Sequence, residues 1–162
     1  MNFNDFVENK FKIFDNFTFC DSIEEILNEL NNYLNYLKIL IFKSDNQSAI
    51  YNLNTILYLI KNLINLLNLD SEKIKEKCIN ALESKSHDYA QEGNRFWNFE
   101  KRVNFLGTNI NFVFLNDIYN KVLRLENLLL NNKTPKNETV EDSIIDLINY
   151  VLLFQAYKLG IK

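Results

Sequence analysis

Apolar residues recur at three- and four-residue spacing along nearly the whole chain, the period of helices that each bury one stripe. Ile23, Ile26, Leu27, Leu30, Leu34 and Leu37 form the first stripe. Ser22 followed by Glu25 is a capping box, so a helix is predicted from Ser22 to about Phe42. Ser44 to Gln47 make its turn. A second helix, about Ser48 to Leu67, is apolar on most sides, as expected of a central or interface helix. Asp70 and Ser71 open a third, ending near His87, and the aperiodic YAQEGNRF, residues 89–96, is a loop. A short helix from Trp97 to Leu106 stops at Gly107, and Thr108 caps a long one reaching about Leu130. After the loop NNKTPKNE, Thr139 caps the last helix. Glu141 and Asp142 lie in its first turn, where carboxylates favour the helix dipole, and Gly160 stands just past its end.

Three glycines and one proline are too few for the turns of a sandwich or barrel, so the fold class is all-α. The reading is one domain over 1–162, an oligomeric bundle of about five to six helices. Residues 1–20, rich in phenylalanine, form an arm that packs on the domain or on a second subunit. Residues 21–70 form a helical hairpin, and residues 71–162 carry the chemistry.

The apolar run from Ile56 to Leu69 is broken by Lys61, Asn62, Asn65 and Asn68, which argues against a membrane span. The N-terminus has no basic region followed by a continuous apolar core, so no export is expected. Cys20 and Cys78 are distant and in no metal-ligand spacing; two buried thiols in a reducing, cytoplasmic compartment are the expectation. A net charge of -3 argues against a nucleic-acid polymer as partner but leaves room for a small phosphorylated ligand.

The 27 asparagines and 15 lysines against 3 arginines match the codon bias of an AT-rich genome, so most asparagines carry no message. All three arginines, Arg95, Arg102 and Arg124, fall within one 30-residue stretch, where a guanidinium fork that grips phosphate would be of use; chance clustering is the alternative. On the last helix Asp142, Asp146 and Asn149 stand at i, i+4 and i+7 amid apolar neighbours, either a metal-binding face or a solvated one. Asp117, Lys121 and Arg124 make a mixed-charge stripe on the preceding helix. Antiparallel packing of the two would face carboxylates with Lys121 and Arg124, an arrangement suited to magnesium and a phosphate chain. Glu83 and the single histidine, His87, stand at i and i+4 before Asp88 and Tyr89. Phe96, Trp97 and Phe99 are core aromatics or a stacking surface for a base.

The order of these segments resembles a family, the phage and bacterial nucleotide-modification-associated proteins, grouped with MazG-like all-α nucleotide pyrophosphohydrolases. Its K-x-x-DY segment is matched by Lys85, Asp88 and Tyr89, and its K-x-x-R-L helix by Lys121, Arg124 and Leu125. Its D-x-x-x-D-x-x-NY helix is matched by Asp142, Asp146, Asn149 and Tyr150. The likeness covers residues 78–155. It implies hydrolysis of a nucleoside triphosphate to the monophosphate and pyrophosphate, with Mg2+ (or Mn2+) as cofactor, in a homodimer or homotetramer; for a phage-encoded chain the compartment is the host cytoplasm.

On that reading Glu83, Asp142 and Asp146 are catalytic, and Glu138 joins them as metal ligands. His87, Asp88, Tyr89, Asn98, Lys121, Arg124, Asn149 and Tyr150 bind substrate. The relatives' E-x-x-E and E-x-x-D pairs are not met: Asp142 precedes Asp146 by four, and Lys121 and Arg124 stand where the first acidic pair belongs. Two other classes remain open, a nucleotide-binding or sequestering protein without turnover and a purely structural helical oligomer.

Overall fold

The computed structural model describes residues 1–13, 20–89 and 93–161, with backbone alone for residues 13 and 85–89. All regular secondary structure in these residues is helical: α1 (Phe3–Ile13), α2 (Ile23–Phe42), α3 (Asn46–Leu66), α4 (Ser71–Tyr89), α5 (Trp97–Leu106), α6 (Ile110–Leu129) and α7 (Val140–Leu159). The sequence predicted five to six helices; there are seven among the described residues.

The additional helix is α1. Its apolar positions Phe3, Phe6 and Val7 follow a helical period, but aromatic residues are weak helix formers and mask it. The Asn2 side chain caps it, accepting from the Asp5 amide at 2.9 Å. Phe3, Phe6 and Val7 are buried, Lys75 pairs with Glu8 at 3.2 Å, and the Arg95 guanidinium lies 3.6 Å from the Phe3 ring centroid. Residues 3–8 of the N-terminal arm thus pack on helices of their own chain.

Helices α2, α3, α7 and α6 form a ring of antiparallel neighbours. The turn after α2 ends at Asp45, whose side chain accepts from the Ser48 amide at 3.0 Å and starts α3 two residues before the predicted position. Lys158 near the end of α7 donates to Asn46 at the start of α3 at 2.8 Å, and Gln155 donates to the Ile50 carbonyl at 3.3 Å. Phe42 at the end of α2 meets Phe112 at the start of α6, ring centroids 5.1 Å apart. Asn31, two turns into α2, donates to Glu126 near the end of α6. This is four-helix-bundle packing, in which each apolar stripe faces the shared core.

α3 is the central helix: Ala49, Leu53, Ile56, Leu57, Leu59, Ile60, Leu63 and Ile64 are all buried within the chain. The Phe114 ring of α6 stacks on Phe154 of α7 at 5.0 Å and on Phe99 of α5 at 4.2 Å, while Phe96 meets it edge-on at 6.4 Å. Phe96 and Phe99 are therefore core residues.

α5 ends where expected, with Gly107 in the left-handed conformation that its missing Cβ permits (φ 62°). Asn109, not Thr108, caps α6, accepting from the Asn111 amide at 2.8 Å. α4 runs on to Tyr89, so the loop expected over 89–96 begins later, and residues 90–92 lie outside the described part. Among the described residues no helix is long and apolar enough to cross a membrane. Cys20 and Cys78 are both buried free thiols.

Candidate functional site

Antiparallel packing of α6 on α7 brings Lys121 and Arg124 against the start of α7. The Lys121 ammonium lies 2.9 Å from a Glu138 carboxylate oxygen and 2.8 Å from one of Asp146. Arg124 donates through Nε to the Ser143 hydroxyl at 3.0 Å and through Nη2 to the Glu138 backbone carbonyl at 2.7 Å, with the Glu138 carboxylate 3.7 Å away. Ser143, wholly buried, donates in turn to Glu138 at 3.1 Å.

Lys121, Arg124, Glu138 and Asp146 thus form one half-buried, overall neutral network. Burial alone would lower the Lys121 pKa. The hydrogen bonds and charges of Asp146 and Glu138 outweigh that and hold it above the ordinary lysine value.

Asp142 has a separate task. Its Oδ2 accepts from the Thr139 amide at 3.0 Å and the Thr139 hydroxyl at 2.7 Å, while its own amide donates to that hydroxyl at 3.0 Å. This reciprocal capping box opens α7. The Thr139 bonds, with a lesser contribution from the Lys77 charge, hold the Asp142 carboxyl below the usual aspartate range. Thr139→Ala is accordingly expected to cost about 1 kcal/mol, read as a Tm lower by roughly 2–4 °C; an unchanged melting curve would show that the cap adds nothing.

Glu83 is exposed on α4, and its charge acts on Arg95. The side chains of His87, Asp88 and Tyr89 lie outside the described residues. Asn98 is half-buried in the first turn of α5. Tyr150 is half-buried on α7, close enough for its hydroxyl to act electrostatically on Arg102.

Of the three arginines only Arg124 joins the network. Arg95 covers Phe3, and Arg102 makes a bidentate pair with Asp117 at 2.5 and 2.8 Å. Asp117 of α6 therefore pairs with α5 rather than with Lys121. Sequence reading missed Ser143; its i, i+3 spacing to Asp146 is the one trace of its place on that face.

α4 closes another side of the site: the buried Cys78 thiol, pushed up to about 12 by burial and then by the Asp146 charge, lies 4.0 Å from the Ile145 carbonyl. One turn on, Asn149 is buried, with neither side-chain oxygen nor nitrogen hydrogen-bonded among the described residues.

Glu138 and Asp146 offer the hard oxygen donors that magnesium takes. The Lys121 ammonium already sits between them, however, and among the described residues no three His, Cys, Asp or Glu side chains are grouped to hold a metal. The set does not fit a resident divalent ion: the cation of this cluster is a lysine. A scan against family models and searches of curated proteins and of solved structures find no match to the chain.

Proposed function

We propose that this chain is a nucleoside triphosphate pyrophosphohydrolase, converting an NTP or dNTP to the monophosphate and pyrophosphate in phage-type nucleotide metabolism in the cytoplasm. One observation carries the reading. Lys121 and Arg124, the basic pair of a K-x-x-R-L helix, meet Asp146 of the D-x-x-x-D-x-x-NY helix and Glu138 in one network. Magnesium or manganese enters as part of the substrate, chelated to its phosphates, and a neutral network suits an anion that brings its own cation.

In this reading Lys121 and Arg124 turn from the carboxylates to the phosphate oxygens and offset the charge that develops on them. Asp146, so released, orients a water and takes its proton. Incubating the protein with the standard nucleoside triphosphates and magnesium should yield pyrophosphate and monophosphate. Asp146→Asn should lower turnover by about 100-fold or more, and undiminished turnover would remove Asp146 from this role.

A second reading, binding or sequestration without turnover, draws on the same network: in the resting chain Glu138 and Asp146 are both already paired with Lys121. Tight calorimetric binding with no product would select it. Self-association as a dimer or tetramer belongs to the same proposal. The residues that support it are the exposed apolar side chains Tyr36, Ile39 and Phe42 on α2 and Tyr119 and Leu123 on α6, since most of α3 is buried inside the chain.

A further inference from the structure

We infer that Asn149 reads the base of the bound nucleotide. The inference rests on the function proposed above and deepens it: the ligand presents a heterocyclic edge with a donor beside an acceptor, and a bare phosphate chain would not satisfy the site. Asn149 is 3% exposed, yet neither Oδ1 nor Nδ2 has a partner among the described residues. A carboxamide carries an acceptor and two donors, and leaving them unmade in the interior is a cost that a leucine of similar shape would not carry. A buried group of this kind calls for an explanation, and a bound ligand or an ordered water are the two that supply the missing hydrogen bonds.

The position argues for a ligand. Asn149 follows Asp146 by three residues, about 4.5 Å along the helix axis. With Asp142 and Asp146 it keeps the i, i+4, i+7 spacing of one face. One turn earlier on the same helix α4 docks at Ile145, and the Asp146 charge is felt at Cys78, so Asn149 follows directly on the stretch of α7 where α4 and the Lys121 network meet. Lys121 and Arg124 supply the charges that phosphates need. A neutral amide adds nothing to that balance, but its paired donor and acceptor match the edge of a nucleobase.

A buried water is the competing occupant. Asn52 supplies the control: it is 2% exposed and equally without partners, but it stands on α3, which gives no residue to the Lys121 network.

The test is calorimetric titration of the full chain with the magnesium complexes of the standard nucleoside triphosphates and with inorganic tripolyphosphate as the baseless probe. Wild type is expected to bind its preferred nucleotide at least ~10-fold more tightly than tripolyphosphate. Asn149→Leu should lose about 10- to 100-fold on that nucleotide, the range a bidentate base contact provides, and keep its tripolyphosphate affinity. Asn149→Ala should behave alike if the leucine variant fails to fold, and Asn52→Leu should leave both affinities in place. An Asn149 variant that keeps the gap between nucleotide and tripolyphosphate, with only its melting temperature changed, overturns the inference in favour of a structural water. Equal wild-type binding of both probes also overturns it, while leaving the phosphate site standing. Binding of neither removes the site and the inference together.

Discussion

Replacing Phe114 by alanine should lower the unfolding free energy by about 3–5 kcal/mol, a fall in Tm of roughly 6–20 °C. Phe114 has no exposed surface, and its ring is stacked on Phe99 and Phe154 and bordered by Phe96 and Tyr157. Truncation removes the contacts of a whole ring and leaves a void between three helices that rigid aromatic neighbours cannot fill by small shifts. Phe114→Leu should retain a large part of the stability, since it keeps apolar volume while losing the stacking. The measurement is urea unfolding followed by circular dichroism. A loss below about 1 kcal/mol for the alanine variant would mean that the site collapses or that the stack is not formed. Phe114 also stands seven residues, two helical turns, before Lys121 on α6, so the stack holds the register that sets Lys121 against Asp146.

Helix ends with their own chemistry were legible in the residues. Ser22 caps α2 with its hydroxyl on the Glu25 amide, Gly107 closes α5, and Thr139 and Gly160 bound α7, each as local sequence dictates. The start of α6 slipped by one residue because Thr108 and Asn109 are both competent caps, and only the packed structure chooses between them.

Of the two acids expected to face Lys121 and Arg124, Asp146 does so, because two amphipathic stripes on consecutive helices meet when the helices pack antiparallel; the second carboxylate of the cluster is Glu138, which lies before α7 and outside that stripe. What periodicity could not give was partner choice. Asp117 sits four residues before Lys121 but goes to Arg102, since the path of α5 across α6 is not encoded in the spacing of either helix. Asp142 shows a second limit: a carboxylate three residues after a threonine serves equally as cap or as ligand, and its bonds to Thr139 are visible only in three dimensions.

Lys121→Met should expose the electrostatic role of the network most directly. The substitution keeps the length of the stem and removes the ammonium, leaving Glu138 and Asp146 facing one another without the cation they share. Near neutral pH the cost should be about 2 kcal/mol, below that of breaking a fully buried pair because the side chains are 18–29% exposed. The gap to wild type should be bell-shaped in pH. Toward acid it closes as protonation removes the repulsion in the variant. Toward alkali it also closes: the Lys121 pKa is raised, so its stabilisation is complete below the ordinary value of 10.5 and is lost as pH climbs through the higher folded-state value. Magnesium or calcium should raise the Tm of the variant and leave that of wild type nearly unchanged, because the variant lacks the ammonium that Glu138 and Asp146 share. Melting curves across pH, with and without each ion, decide the matter. A wild-type chain stabilised by magnesium as strongly as the variant would show that Lys121 does not occupy the cation position of the cluster.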